Sequence, residues 1–284
     1  MQNERRGYLY ALLACLVSST SAIIIKSASD VPLATLLFAR FFIAFLFLVP
    51  AIFRRKIHLK VAEIPKHFLR GIAGLTAINC YFYSVTNLPL VNAVTLSNTK
   101  PLFVPLIIFL GTSRLISRNR MAGILLGFCG VLLVLQPTVG FVHHATVVGL
   151  IGGFAGAVSL VGIRQLSKTE STQTIMGYYF LISIIILFLP MIFTWQPLLH
   201  SADWLYLILI GISAALYQFC LTKALTYAPS SKVSAVAYST VLFGGFTGWA
   251  IFGEVPTGWI VGGCCCIILG GFITIMSSPR PKKL

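Results

Sequence analysis

Ten stretches of this chain are each long and apolar enough to cross a lipid bilayer: 8–26, 33–53, 70–88, 90–111, 121–137, 146–164, 174–194, 204–223, 231–252 and 257–276. Crossing the hydrocarbon core takes about 20 mostly apolar residues at about 1.5 Å per residue. Lipid cannot hydrogen-bond a free backbone group, so each stretch must satisfy its own backbone as a helix. The connections are short, which leaves little room for a soluble domain. The longest, RRKIHLKVAEIPKHFL (54–69), is basic. It lies either along the membrane surface as an amphipathic segment or in water as a loop. Composition agrees: 57% of the 284 residues are apolar and 10% are charged, where a soluble domain carries about 25% charged residues. A body of this size could not hide that apolar surface in water, which excludes a soluble enzyme; the same apolarity excludes disorder.

The chain carries 21 Lys and Arg against 6 Asp and Glu, a net charge of +15. Nucleic-acid binders place such charge on a water-soluble face, so its distribution decides its meaning. With the N-terminus inside and alternate loops assigned to the cytoplasm, eighteen basic residues fall in inside segments, among them Arg5, Arg6, Arg54, Arg70, Arg164, Lys232 and Arg280. Lys26 alone falls outside, and Arg40 and Lys100 lie within spans. This asymmetry is a strong positive-inside pattern, and it places both termini in the cytoplasm. Arg5-Arg6 before an apolar run could mark twin-arginine export, but the run is long for a signal core and nine more spans follow, so an uncleaved first helix is expected.

The seven cysteines, including the Cys264-Cys265-Cys266 run, all lie in spans and read as small apolar packers. There is no disulfide framework and no CxxC pair. His143-His144 sits in an outside loop without acidic or Cys neighbours, so no metal site is expected. Nothing in the sequence calls for a cofactor.

Ten spans divide into two fives, and five is odd, so the second half must enter from the opposite side. Inverted repeats of this kind are a common plan of secondary transporters. At an offset of 140, VNAVTLSNTKPLFVPL (91–106) aligns with SKVSAVAYSTVLFGGF (231–246). Pro89 then meets Pro229, Leu102-Phe103 meets Leu242-Phe243, Gly123 meets Gly263 and Gly130 meets Gly270. The repeats are expected over 1–138 and 139–284. Small-xxx-small pairs (Gly149/Gly153, Gly152/Gly156, Gly123/Gly127, Gly258/Gly262) suit close helix contact, and one of them could serve a dimer. The chain is expected as either a monomer or a homodimer.

The pattern resembles the drug/metabolite transporter superfamily, specifically its EamA-like ten-helix members. The resemblance rests on PLATLLFARFFIAFLFL (32–48) with Arg40 at the family's arginine position, on PLVNAVTLSNTKPLFVPLIIFLG (89–111), on RMAGILLGFCGVLLVL (120–135), and on APSSKVSAVAYSTVLFGGFTGWAIFGEVPTGWIVGG (228–263) with its Gly253-Glu254 pair. Where the family's first half has a matching Gly-Glu, this chain reads Gly111-Thr112-Ser113-Arg114. The resemblance implies an all-α polytopic membrane protein of ten helices in two inverted five-helix repeats. It implies a transporter and not an enzyme, with a cavity among spans three, four, eight and nine. Members move amino acids, nucleotide-related metabolites such as S-adenosylmethionine, sugars or drugs, inward or outward.

An ionisable residue at membrane depth is costly, about 2.5–3.5 kcal/mol on insertion scales, and therefore faces a cavity or a partner. Arg40 lies about 10 Å into span two and Lys100 about 15 Å into span four, near the midplane. Arg40 either contacts a substrate carboxylate, caps a helix end or pairs with Asp30. Lys100, just before Pro101, either contacts a substrate anion or snorkels along its stem. The family mostly has a small neutral residue at the Lys100 position. No Asp or Glu lies at depth, so a proton relay through carboxylates has no support. Asn79 and Tyr83, Ser97 and Asn98, Tyr217 and Gln218, and Ser234 and Tyr238 complete the candidate substrate-binding set with Lys100 and Arg40. Each tyrosine could equally be a packing residue. Trp195, Trp204, Trp249 and Trp259 read as belt anchors.

The expected function is a secondary transporter moving a small polar metabolite, amino-acid-like, zwitterionic or anionic, by alternating access. Alternatives are an importer of a nucleotide-linked metabolite such as S-adenosylmethionine, a drug exporter, or an intramembrane enzyme. The last lacks a His/Asp/Glu or Ser/His constellation at depth. The short loops and the lack of a targeting presequence favour a bacterial inner membrane. The expected partners are the small-molecule substrate and the lipid bilayer, without nucleic acid.

Overall fold

A computed structural model of the protein describes residues 2–28, 31–50, 63–112, 118–135, 144–197, 201–237 and 239–276. The described residues hold twelve helices: α1 (Gln2–Ser27), α2 (Leu33–Leu46), α3 (Ile64–Asn87), α4 (Leu90–Ser97), α5 (Lys100–Thr112), α6 (Arg118–Leu135), α7 (His144–Leu166), α8 (Thr172–Phe193), α9 (Ser201–Tyr227), α10 (Ser230–Val236), α11 (Ser239–Phe252) and α12 (Gly258–Met276). No strand occurs among the described residues. Five runs have both the length and the apolarity of a membrane crossing: Glu4–Ser27, Leu90–Leu110, His144–Leu166, Thr172–Phe193 and Ser201–Tyr227. Four shorter apolar helices accompany them.

Local chemistry sets the helix ends. Pro32 and Pro89 occupy the N-caps of α2 and α4, where a missing N–H costs nothing. Leu88 precedes Pro89 and is therefore extended (φ −129°, ψ 160°), which terminates α3. Ser171 caps α8 by accepting from the Thr174 N–H at 3.1 Å.

The expected span 90–111 is not one continuous helix. It breaks at Asn98-Thr99, between α4 and α5. At the end of α4 the side chains add donors to carbonyls that already accept the Asn98 and Thr99 backbone N–H groups: the Asn98 amide donates to the Val94 carbonyl at 2.8 Å, and the Thr99 hydroxyl to that of Leu96 at 2.7 Å. Pro101 then falls in the first turn of α5, where it is tolerated. The expected span 231–252 breaks likewise between α10 and α11. The two breaks correspond to within one residue of the 140-residue offset.

The main helix contacts are symmetric under exchange of α1–α6 with α7–α12. The contact of α3 with α7 has its counterpart in α9 with α1, α2 with α9 in α8 with α3, and α5 with α7 in α11 with α1. The most extensive contact, α6 with α12, is its own counterpart. There the backbones touch through glycine. A Cβ on Gly130 would lie 2.5 Å from the Gly263 carbonyl oxygen, and one on Gly270 would lie 2.4 Å from that of Gly123. Among the described residues nothing lies within 4 Å of a Cβ built on Gly258 or Gly262, so that pair packs against none of them.

Large apolar side chains cover the outside, as lipid requires: Leu9, Leu13, Ile185, Phe188, Leu189, Leu242 and Phe246 are all exposed. The four tryptophans are also exposed and lie at or near the ends of α8, α9, α11 and α12 that share one end of the bundle. At that same end Lys26 pairs with Glu254, whose second oxygen accepts from the Leu90 N–H at 2.6 Å and so caps α4. At the other end Lys232 meets Glu4 at 3.1 Å, and Arg164 donates to the Leu225 and Thr226 carbonyls (2.6 and 3.0 Å) that end α9.

Candidate functional site

A cavity of about 110 Å³ lies between the two halves. At about 10–15 Å³ per water it has room for roughly ten. Its wall is built from helical stripes. On α3 the stripe is Arg70, Gly74, Ala77, Ile78 and Tyr81, spaced at three and four residues as one helix face must be. On α1 it is Ala11, Ala14, Cys15, Ser18 and Ser21, and on α7 Gly152, Gly156, Ser159, Leu160 and Ile163. Arg40 comes from α2, Tyr179 from α8, and Tyr217, Gln218 and Leu221 from α9. The two breaks contribute Ser97, Asn98 and Lys100 on one side and Val233, Ala237 and Thr240 on the other.

Small residues open this space. A Cβ on Gly156 would meet the Lys100 Cε at 2.7 Å, so the lysine stem lies along α7 where that helix has no side chain. A Cβ on Gly162 would meet the Arg70 Cβ at 3.1 Å, and one on Gly74 the Tyr179 ring at 2.9 Å. The glycines of α7 thus seat two of the cavity's cations.

Three cations line the cavity, and no carboxylate stands among its described lining residues. Arg40 is 6% exposed, with its guanidinium 5.6 Å from the Phe82 ring centroid. Arg70 is 2% exposed and lies 3.6 Å from the Tyr179 ring centroid. Phe41 holds that ring edge-on at 5.2 Å. Several buried donors have no acceptor among the described residues: the Arg40 Nε, the Arg70 Nε and Nη1, and the Gln218 Nε2. Buried N–H groups are nearly always bonded, so these point to something the cavity takes up, whether water or an anion.

Of the ten residues singled out in the sequence, six line this cavity: Arg40, Ser97, Asn98, Lys100, Tyr217 and Gln218. Ser97 and Asn98 also spend a donor each on the Val94 carbonyl, so part of their role is to hold the break. Asn79 and Tyr83 are not among the lining residues. Each lies two positions, or about 200° around the helix, from a cavity-facing residue of α3. Asn79 donates to the Leu75 carbonyl at 2.8 Å, and the Tyr83 ring stands near His144. The Ser234 side chain and all of Tyr238 lie outside the described residues, as does Asp30.

Arg70 needs correction. The charge count placed it among cytoplasmic markers, because it directly follows the basic 54–69 connection at the start of the expected span 70–88. The helix starts earlier, at Ile64, and carries Arg70 inward to a buried position on the cavity wall. Tyr81, Tyr179, Ser18, Ser21, Ser159 and Thr240 were also not singled out from the sequence. The small residues Gly74 and Ala77, at helical spacing between Arg70 and Tyr81, were the available clue. No group of three His, Cys, Asp or Glu among the described residues could hold a metal ion.

Comparison with known proteins gives a consistent picture. The EamA-like transporter family's profile matches residues 5–136 and 144–276. The chain is 28% identical to a pseudopaline exporter of Pseudomonas aeruginosa over 98% of each chain. It is 25% identical to a riboflavin transporter of Vibrio cholerae over 98% of this chain and 96% of that one. It is 23% identical to the human solute carrier family 35 member G1, over 92% of this chain and 76% of that one. A solved crystal structure superposes with a TM-score of 0.69 over 94% of this chain and 95% of its own, at 18% identity, a likeness of fold.

Proposed function

We propose a function on one established premise: this chain belongs to the EamA-like transporter family, and is a multi-pass membrane transporter rather than an enzyme. The proposal is that it is a secondary transporter for a small polar metabolite, zwitterionic or anionic, working by alternating access in a bacterial inner membrane. The observation that carries it is the cavity, where Arg40, Arg70 and Lys100 converge without a carboxylate beside the break between α4 and α5. Broken helices at corresponding positions of two repeats mark the binding site in many carriers.

The proposed topology is ten crossings with both termini cytoplasmic, in repeats spanning 1–138 and 139–284. Α4 with α5 forms the fourth crossing, and α10 with α11 the ninth. The exchange symmetry of the helix contacts and the glycine contacts of α6 with α12 support that arrangement. Alternating access would be a rocking of one repeat against the other about the cavity, with the breaks as flexible points.

The test is a thermal-shift screen of the purified protein against amino acids, nucleosides, S-adenosylmethionine and sugar phosphates, followed by counterflow of the labelled hit into proteoliposomes. Saturable exchange that is lost in Lys100→Ala and Arg40→Ala supports the reading. Retention of transport in both variants refutes the anionic site, and turnover of solute without translocation refutes the carrier.

A further inference from the structure

The cavity's charge says more about the solute than that it is polar. Arg40, Arg70 and Lys100 come from three different helices, α2, α3 and α5, and all three face one space. The ionisable groups that join them from the other walls are Cys15, Tyr81, Tyr179 and Tyr217, which carry no charge at neutral pH. The protein therefore offers these cations no counter-charge from its described lining. Lipid surrounds the bundle, so uncompensated positive charge there is expensive. A zwitterion brings no net compensation. A single carboxylate balances one of the three.

The geometry of the donors agrees. Arg40 and Arg70 are both more than nine-tenths buried, and both hold N–H groups with no acceptor among the described residues. Tyr179 covers one face of the Arg70 guanidinium, whose Nε and Nη1 have no acceptor among the described residues. Guanidinium edges match the planar or tetrahedral oxygens of carboxylate and phosphate, whereas a lysine acts as a point charge. Resting on the transporter reading above, we infer that the solute is a compact polyanion with two or three carboxylate or phosphate groups. Arg40 and Arg70 each hold one oxyanion, and Lys100 takes the remaining charge. The Gln218 amide, whose Nε2 also lacks an acceptor among the described residues, supplies a neutral donor to the same solute. The small volume keeps the solute compact.

The experiment is a thermal-shift titration of the purified full-length protein at constant ionic strength, with glutamine, lactate, succinate, citrate and 3-phosphoglycerate as probes. The expected order is stabilisation by the polyanions and none by glutamine or lactate. Whichever of citrate, succinate or 3-phosphoglycerate saturates at the lowest concentration identifies the oxyanion class. In Arg70→Gln and Arg40→Gln the half-saturating concentration rises roughly 10- to 100-fold, the effect of losing one charge-assisted contact. Arg70→Lys keeps part of the affinity. The wild-type ranking stands by itself should a variant fail to fold. Glutamine or lactate stabilising as well as succinate and citrate would overturn the polyanion and leave the transporter reading intact. Folded protein that neither shifts with, nor exchanges, any probe here or in the wider screen would overturn both.

Discussion

Gly130→Ala and Gly270→Ala should each destabilise the protein, and Gly262→Ala should not. At Gly130 the added Cβ would lie 2.5 Å from the Gly263 carbonyl oxygen, and at Gly270 it would lie 2.4 Å from that of Gly123. Backbone oxygens cannot rotate aside, so α6 and α12 must part by about 1 Å before ordinary contact returns, a gap that forfeits a quarter to a half of each local dispersion contact. Overpacking of this kind costs about 1–3 kcal/mol, and an immovable opposing atom puts these sites near the top of that range. Alanine recovers about 1 kcal/mol of helix propensity over glycine, which leaves about 2 kcal/mol net at each site. Gly262 meets nothing within 4 Å among the described residues, so only the propensity gain applies there. The measurement is thermal denaturation in detergent with a thiol-reactive dye, which reads the exposure of buried Cys15 and Cys220. The two destabilising variants should fall by similar amounts, since they are repeat counterparts. Their double variant should fall by less than the sum, because helices already parted accommodate the second methyl. Equal midpoints for all three single variants would refute the close backbone contact. A large effect at one counterpart and none at the other would refute the symmetry.

Glu254→Ala removes both the Lys26 pairing and the cap on the Leu90 N–H; a charge-assisted bond to a half-buried group should cost about 1.5–3 kcal/mol in the same melt, and Glu254→Gln, which keeps an acceptor, should lose less. Arg164→Ala frees the Leu225 and Thr226 carbonyls at the end of α9 and should cost about 1–3 kcal/mol; an unchanged midpoint would sink that assignment. Lys232→Ala should change the midpoint by less than about 1 kcal/mol, because its pair with Glu4 is about two-fifths exposed on both sides. Gly156→Ala should weaken solute binding more than stability, since its Cβ meets the flexible Lys100 side chain from Cε to Cγ rather than backbone; counterflow and melting measured together separate the two.

Much of this architecture is legible in the sequence because lipid imposes simple rules. Long apolar runs report helices, and prolines 32 and 89 mark their starts. The offset of 140 was visible as a few identities, and the structure shows why those survive in this chain. Gly130 and Gly270 lie where α6 and α12 touch backbone to backbone, against the carbonyl oxygens of Gly263 and Gly123, so a Cβ does not fit at either. Asn98 was read as a polar residue on a continuous helix, and it proves to hold the end of one. A helix break satisfied by its own side chains leaves little trace in hydropathy, because Ser97, Asn98 and Thr99 sit within a run that stays apolar on average.

The least legible residue was Arg70, and the reason is general to membrane sequences. Basic residues beyond a span count as topology markers, and those within one count as functional. The division depends on where the helix begins. Here α3 starts at Ile64, six residues before Arg70 and about 9 Å along the axis. Burial then comes from partners far along the chain, Tyr179 on α8 and Gly162 on α7, which no local pattern reveals. The consequence reaches the chemistry. Two cations at depth describe a site for a carboxylate with a spare contact. Three, drawn from three helices and facing no acid among the described lining, describe a site that is short of negative charge until its solute arrives.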